Sequence, residues 1–119
     1  MDQLLAGVTL PVGVFCFNDL MAVGALDSIA KHGLRVPDDV SIVGVDGIEM
    51  AARVYPSLTT FVIPKIHIGN AAMQCLLDMF QEDLQPKEVV IPSVPVQRDS
   101  TSKAKSDEWS GMPTTSIRR

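Results

Sequence analysis

Two continuous apolar runs, separated by a segment with helical spacing, define the first half of the chain. Residues 12–17 (VGVFCF) and 41–45 (SIVGV) are typical of parallel strands that are covered on both faces. Between them, apolar residues recur at helical spacing over residues 19–32 and form one face of a predicted helix. Strand, helix and strand in about 30 residues predict a βαβ unit, with parallel strands and a right-handed crossover.

Two glycines of this unit are expected to have different roles, one at the end of the helix and one inside it. Gly33 follows the last predicted helical turn, where a left-handed residue commonly ends a helix. Gly24 lies inside the helix, at some cost in helix propensity, and we expect it to allow close packing against a neighbour.

The second half of the chain predicts a third strand, a second helix and an irregular extended segment. After a short helix or loop over residues 48–54, residues 58–63 (LTTFVI) are rich in strand-forming residues. Residues 65–83 form an amphipathic helix, with an apolar stripe made of Ile68, Ala72, Cys75, Leu76, Met79 and Phe80. Residues 88–96 are extended, but two prolines remove ladder donors, which indicates an edge strand or one that changes sheets.

Composition and charge indicate one small folded domain and exclude several functions. The chain has 119 residues, of which 46% are hydrophobic and 20% charged. A net charge of −4 with scattered basic residues argues against a nucleic-acid surface. No signal peptide and no apolar run of about 20 residues is present, so no membrane partner is expected. The two separated cysteines suit free thiols in a reducing cytoplasm.

Polar residues stand directly after the first two predicted strands. Asn18 follows the first strand and Asp46 follows the second. Because ligands of open α/β sheets bind beyond the carboxyl ends of the strands, both side chains are expected at one crevice. An amide and a carboxylate suit a polyhydroxylated molecule such as a sugar or nucleoside. The pattern leaves a second interpretation open, in which Asn18 or Asp19 only caps the helix and Asp46 only shapes a turn.

Catalytic and cofactor sites find little support. The turn after the first strand, FNDLMA, lacks the glycines of a dinucleotide or phosphate loop. His32 and His67 have no Cys or carboxylate at metal-ligand spacing, and no nucleophile elbow is present. We therefore expect no catalytic residue, no metal and no cofactor, which leaves a small α/β enzyme as a weak alternative.

Four segments, in this order, resemble the C-terminal third of a LacI/GalR-family transcriptional regulator. They are FCFNDLMAVGALDSIAKHGLRVPDDVSIVGVDGIE, PSLTTFVIP, IGNAAMQCLLDMF and VPVQRDST, and together they run from about residue 11 to residue 101. The resemblance implies an α/β fold, namely a parallel-sheet βαβ fragment of a periplasmic-binding-protein-like (type I) domain. That domain has two lobes joined by three crossover strands, with the effector in the cleft between them.

The resemblance also implies roles for individual residues. The effector-contacting Asn and Asp of the family fall on Asn18 and Asp46, which leaves Asp19 as the helix cap. The family often has an acidic or amide residue where this chain has Gly47, so one polar contact is missing. The residues that correspond to the family's dimer interface are Val23, Arg53, Val54 and Tyr55, although Val23 could be ordinary core and Tyr55 a plain turn residue.

The implied protein is a cytoplasmic, non-enzymatic sensor of a small-molecule effector, such as a sugar or related polyol, that forms a homodimer. DNA would be bound only through a helix-turn-helix, which is absent from this chain. A sugar-binding protein for transport is the alternative, and the absence of a signal peptide opposes it. The implied organisation is a partial effector-binding domain (1–101) with its C-terminal lobe (11–57 and 94–101), a crossover (58–64), N-terminal-lobe elements (65–93) and a disordered tail (102–119).

Overall fold

The computed structural model describes residues 1–81 and 88–103. Most of the predicted tail, from residue 104 onward, lies outside the described residues, as does the predicted end of the second long helix at residues 82–83. The elements, in chain order, are α1 (Asp2–Leu5), β1 (Val12–Phe15), α2 (Asp19–Lys31), β2 (Val40–Asp46), a 3₁₀ helix (Glu49–Ala52), β3 (Thr59–Val62), α3 (Lys65–Gln81) and β4 (Val94–Val96).

The four strands form one sheet in the order β1-β2-β3-β4. The first three strands run parallel, and β4 pairs with β3 in the antiparallel direction. Pro95 lies in β4, at the edge of the sheet, where the missing amide proton costs no inner ladder bond. The predicted α/β fold class and the parallel strand–helix–strand unit are confirmed.

The core lies between α2 and one face of the sheet. Alternate residues of β2 are buried, among them Val40 and Ile42, and they pack with Ala22 and Ile29 of α2. Leu58, just before β3, is also fully buried in this cluster. Side chains of a strand alternate between faces, so this pattern places one face of β2 in the core.

The opposite face of the sheet is open within the described part of the chain. Phe15 of β1 is 66% exposed, and its ring is tilted by 51° to that of Phe61 of β3, with centroids 6.3 Å apart. The prediction that these strands are covered on both faces is therefore wrong for the described residues. A continuous apolar run indicates a buried strand, but it does not reveal whether the covering layer belongs to the same stretch of chain.

The ends and interior of α2 show one confirmed and one incorrect expectation. Gly33 has φ of +71°, the left-handed conformation expected after the last turn. Gly24 is exposed, and a Cβ placed there would meet no atom of the described residues within 4 Å. The expected close packing at Gly24 is therefore wrong for residues 1–81 and 88–103.

Helix α3 leaves most of its apolar side chains in solvent. Phe80 is 80% exposed, and the large apolar residues Ile66, Ile68, Met73, Leu76, Leu77 and Met79 are also exposed. The predicted amphipathic helix is present, but its apolar stripe is not covered by the described residues.

The segment after β4 is anchored to the sheet through Ser100, which is fully buried. Its backbone oxygen accepts from the Ile42 amide (2.8 Å), and its hydroxyl donates to the Ile42 oxygen (2.6 Å). The same hydroxyl accepts from the amide of Thr59 (2.8 Å). Ser100 therefore bridges β2 and the start of β3.

None of the helices within residues 1–81 and 88–103 is long and apolar enough to cross a membrane.

Candidate functional site

The strand register brings Asn18 and Asp46 to the same edge of the sheet. Val12 pairs with Val40 and Phe15 pairs with Val43. Asn18 lies three residues after Phe15, and Asp46 lies three residues after Val43. The two polar residues therefore occupy equivalent positions beyond the paired residues, at the carboxyl edge where ligands of such sheets bind.

Asn18 is the residue that caps α2. Its backbone is extended (φ −148°, ψ 171°), and its Oδ1 accepts from the amide of Met21 at 2.8 Å. The prediction that Asp19 caps this helix is therefore wrong. The cap uses the oxygen of the Asn18 amide, while its Nδ2 makes no hydrogen bond to any described residue.

Asp19 is instead a buried junction between three elements. Its side chain is fully buried, and its Oδ2 accepts from the amide of Ile48 at 2.9 Å. Its Oδ1 accepts from the hydroxyl of Thr60, on β3, at 2.5 Å. Asp19 thus connects the start of α2 both to the segment after β2 and to β3.

The backbone turns sharply at Asp46, the last residue of β2. Its φ is +117°, which is unusual for a residue with a side chain and is a type of strain that clusters at functional sites. Asp46 is half-buried, and its carboxylate has no hydrogen-bond or ion-pair partner among the described residues. An acceptor at a sheet edge without a protein partner is available to a ligand hydroxyl.

Gly47 is required by the local geometry. Its φ is +71°, and a Cβ there would lie 2.7 Å from Cγ2 of Val62. A side chain at this position would therefore collide with β3, in addition to being strained in the left-handed region. This explains in physical terms why the chain has no acidic or amide residue after Asp46.

Of the four predicted interface residues, Val23 lies in α2 and the other three directly follow the 3₁₀ helix. Val23 is half-buried, and Val54 packs against the core. Arg53 pairs with Glu49, and Tyr55 is 97% exposed. A groove of about 260 Å³ lies between Tyr55 and the C-terminal half of α2. The interface role of these residues stays a prediction.

The remaining chemistry of the described residues is modest. No group of three or more His, Cys, Asp or Glu residues within them could hold a metal ion. Both cysteines are free, and burial raises the pKa of the Cys16 thiol. A second, largely apolar groove of about 560 Å³ runs along β1 and α2, and its lining includes Phe17 and Met21, which flank the polar edge.

Thr60 and Gly44 hold the Asp19 side chain in place, and the sequence pattern identifies neither residue. Thr60 is fully buried, and it pairs with Gly44 across the β2–β3 ladder. A Cβ at Gly44 would overlap Oδ1 of Asp19 and lie 3.2 Å from Leu58 Cδ2. A threonine at an inward position of a strand signals a buried polar partner, because its hydroxyl must be satisfied.

Comparison with known families supports this architecture. Residues 1–101 match the family described as periplasmic binding protein-like domain. The chain is 41% identical over 88 residues to the HTH-type transcriptional repressor PurR of Vibrio campbellii, which covers 74% of the chain and 26% of that protein. It is 42% identical over 82 residues to PurR of Aliivibrio salmonicida, covering 69% of the chain and 25% of that protein. The chain thus spans about a quarter of the length of these curated relatives.

Solved structures give the same result. A lac repressor dimer bound to operator and the anti-inducer ONPF superposes with a TM-score of 0.75 at 32% identity, over 83% of this chain and 35% of that chain. A LacI family regulator from Enterococcus faecium with bound ribose gives 0.72 at 32% identity, over 87% and 38% respectively. These relatives are named as regulators, which does not favour the transport alternative. The chain therefore belongs to the periplasmic binding protein-like domain family, as a C-terminal part of the effector-binding domain of LacI/GalR-family regulators.

Proposed function

We propose that this chain is the effector-sensing part of a transcriptional regulator, and that it binds a sugar or related polyol through Asn18 and Asp46. The observation that carries the proposal is the free hydrogen-bonding capacity at one sheet edge. Nδ2 of Asn18 is a donor and the Asp46 carboxylate is an acceptor, and neither has a partner among the described residues. Such a pair suits vicinal hydroxyl groups, each of which both donates and accepts.

Solved relatives support the choice of ligand class. Regulators of this family were crystallised with bound ribose, from Enterococcus faecium, and with lactose, from Arthrobacter. Both molecules are polyhydroxylated and uncharged. The net charge of −4 on this chain is also more compatible with a neutral ligand than with an anionic one.

The proposed regulator is a cytoplasmic, non-enzymatic homodimer that reads DNA through a helix-turn-helix outside these residues. Tyr55, which is almost fully exposed, and the neighbouring groove offer an aromatic anchor of the kind enriched in interfaces. Val23, Arg53 and Val54 flank this surface in the proposed dimer. A dimer is the form in which the lac repressor relative was crystallised on its operator.

The exposure of α3 supports the proposed lobe organisation. Residues 58–64 would cross to an N-terminal lobe, residues 65–93 would belong to it, and residues 94–101 would return. The apolar stripe of α3, open to solvent among the described residues, would then pack on that lobe.

Titration calorimetry with a panel of sugars tests the effector proposal, using the longest in-frame gene product that carries this chain. Asn18→Ser keeps an oxygen that caps α2 but removes the Nδ2 donor, and Asp46→Asn removes the charge. We expect each variant to weaken binding by about tenfold, since one buried hydrogen bond to a ligand is lost.

Asp27→Asn is the matched control, because Asp27 is an exposed acidic residue of α2 that pairs with Lys31 of the same helix. Unchanged affinity in both site variants would rule out the two contacts. A signal sequence upstream of the Met1 codon, instead of a helix-turn-helix, would contradict the regulatory role.

A further inference from the structure

We propose that Asp19 is a positioning residue of the effector site, which fixes Asp46 relative to Asn18 and ties both to strand β3. This inference rests on the function proposed above. Asp19 does not face the sheet edge, so its influence on the ligand would act through the residues that do.

The first link runs from the start of α2 to the segment after β2. Asp19 follows Asn18 directly in the chain, and Ile48 lies two residues after Asp46. The 2.9 Å bond from the Ile48 amide to Asp19 Oδ2 therefore links the neighbour of Asn18 to a residue two positions after Asp46, which joins the two proposed ligand contacts. Losing it would free the strained turn at Asp46, whose φ of +117° needs support from its surroundings.

The second link runs to β3. Oδ1 of Asp19 accepts from the hydroxyl of Thr60, which lies in the segment proposed to cross between lobes. The Asp19 carboxylate thus accepts hydrogen bonds both from the segment that follows Asp46 and from β3, the strand proposed to cross between lobes. A movement of β3 relative to α2 has to change at least one of these two bonds.

The buried side chain of Asp19 has few alternative positions. No ion pair among the described residues includes Asp19, so the carboxylate depends on its two donors and on the N-terminus of α2, where it lies. Gly44 lets the carboxylate approach β2, because a Cβ there would overlap Oδ1. Alternative positions for this side chain are therefore few.

Isosteric and truncating variants separate positioning from general stability. In Asp19→Asn, the amide oxygen can still accept from Ile48, and Nδ2 can donate to the Thr60 hydroxyl, which reverses its direction. In Asp19→Ala both bonds are lost. In Asp19→Asn combined with Thr60→Val, Nδ2 faces a methyl group and has no acceptor.

The experiment measures hydrogen exchange of single amides by NMR, together with sugar affinity, in the longest in-frame gene product that carries this chain. We expect Asp19→Ala to speed exchange of the Ile48 amide about tenfold or more, with the Ile29 amide of α2 unchanged. We expect the same variant to weaken sugar binding by about tenfold, and Asp19→Asn to restore both values to within about threefold of the wild type. Adding Thr60→Val should abolish that rescue.

Unchanged exchange of the Ile48 amide in Asp19→Ala would overturn the proposal, as would normal sugar affinity in the presence of faster exchange. If Asp19→Ala does not fold, the contrast between Asp19→Asn alone and Asp19→Asn with Thr60→Val decides, and equal values in the two would overturn it. If no sugar binds the wild type, the proposed effector class fails, and the exchange data alone support or overturn the positioning role.

Discussion

Two adjacent polar residues at the start of α2 perform different tasks, because their side chains leave the backbone in different directions. Asn18 is partly exposed and bonds to an amide three residues ahead. Asp19 is fully buried and bonds to residues 29 and 41 positions ahead. The bond of Asn18 stabilises the start of α2, whereas the bonds of Asp19 join α2 to other elements. A change at Asn18 should therefore affect the helix, and a change at Asp19 should affect the contacts between elements.

At the residue scale, we expect Gly44→Ala to destabilise the fold by about 1–3 kcal/mol, as overpacking of a close-packed core does. The added Cβ would overlap Oδ1 of Asp19 and crowd Leu58. Gly13→Ala is the control, since Gly13 is also in a strand but has open space around its Cβ position. Urea denaturation measures both, and equal midpoints would contradict the crowding at Gly44.

The two cysteines should differ in reactivity toward iodoacetamide. Burial raises the pKa of the Cys16 thiol, so its thiolate fraction at pH 8 is smaller than that of a free thiol. We expect Cys75, which is half-buried, to react faster in Cys16→Ser than Cys16 reacts in Cys75→Ser. Because the folded pKa is raised, stability is full below the pKa of an unfolded thiol and declines as the pH rises through the folded value. Equal labelling rates in the two variants would contradict the predicted difference in reactivity between Cys75 and Cys16.

The positions of the site residues could be predicted from the sequence, but their division of labour could not. Asn18 and Asp46 follow two strands that the apolar pattern reveals, and parallel pairing places both at one edge. The cap depends on which of two neighbouring oxygens reaches the amide of Met21. The bonds of Asp19 depend on partners that approach only after the strands have paired, which local sequence does not encode.

At the scale of elements, α2 contains one residue that weakens it without any packing benefit in the described residues. Gly24 is exposed and has no neighbour within 4 Å of a Cβ position. Glycine inside a helix loses more backbone entropy on folding than alanine. The helix therefore has a lower stability than its length and caps would allow.

We expect Gly24→Ala to raise the free energy of unfolding by about 0.5–1 kcal/mol. Gly33→Ala should do the opposite, because Gly33 adopts φ of +71° after the last turn of the same helix. Thermal melting followed by circular dichroism measures both changes. A loss of stability in Gly24→Ala would show that another layer covers this side of α2.

At the scale of the whole molecule, two apolar surfaces stay open in the described residues. One is the face of the sheet that carries Phe15, and the other is the stripe of α3 that ends at Phe80. Exposed apolar areas of this kind are unusual in monomeric proteins and favour association. The 119-residue chain alone should therefore be marginally stable or self-associating.

Sedimentation velocity over a range of concentrations tests this expectation. We expect species larger than the 12.9 kDa monomer, and fewer of them in Phe80→Glu and Phe15→Glu. Gln97→Glu, which adds the same charge at an exposed polar site after β4, is the control. A monodisperse monomer that melts cooperatively would contradict the prediction.

The order of elements and their class could be predicted because each follows from a local apolar period. The open sheet face could not, because a local period does not reveal whether nearby residues supply a covering layer. The exposure of α3 is an expectation of the family resemblance alone, which assigns this helix to the N-terminal lobe. The division into lobes stays a prediction for the same reason.

The buried position of Ser100 has a consequence for synthesis on the ribosome. Ile42 and Ser100 bond to each other although they are 58 positions apart in the chain. During translation, β2 is made well before Ser100, so the amide and carbonyl of Ile42 lack these partners for most of the synthesis of the segment between them. Until Ser100 arrives, β2 therefore carries unpaired backbone groups beside the start of β3, a state that favours non-native strand pairing.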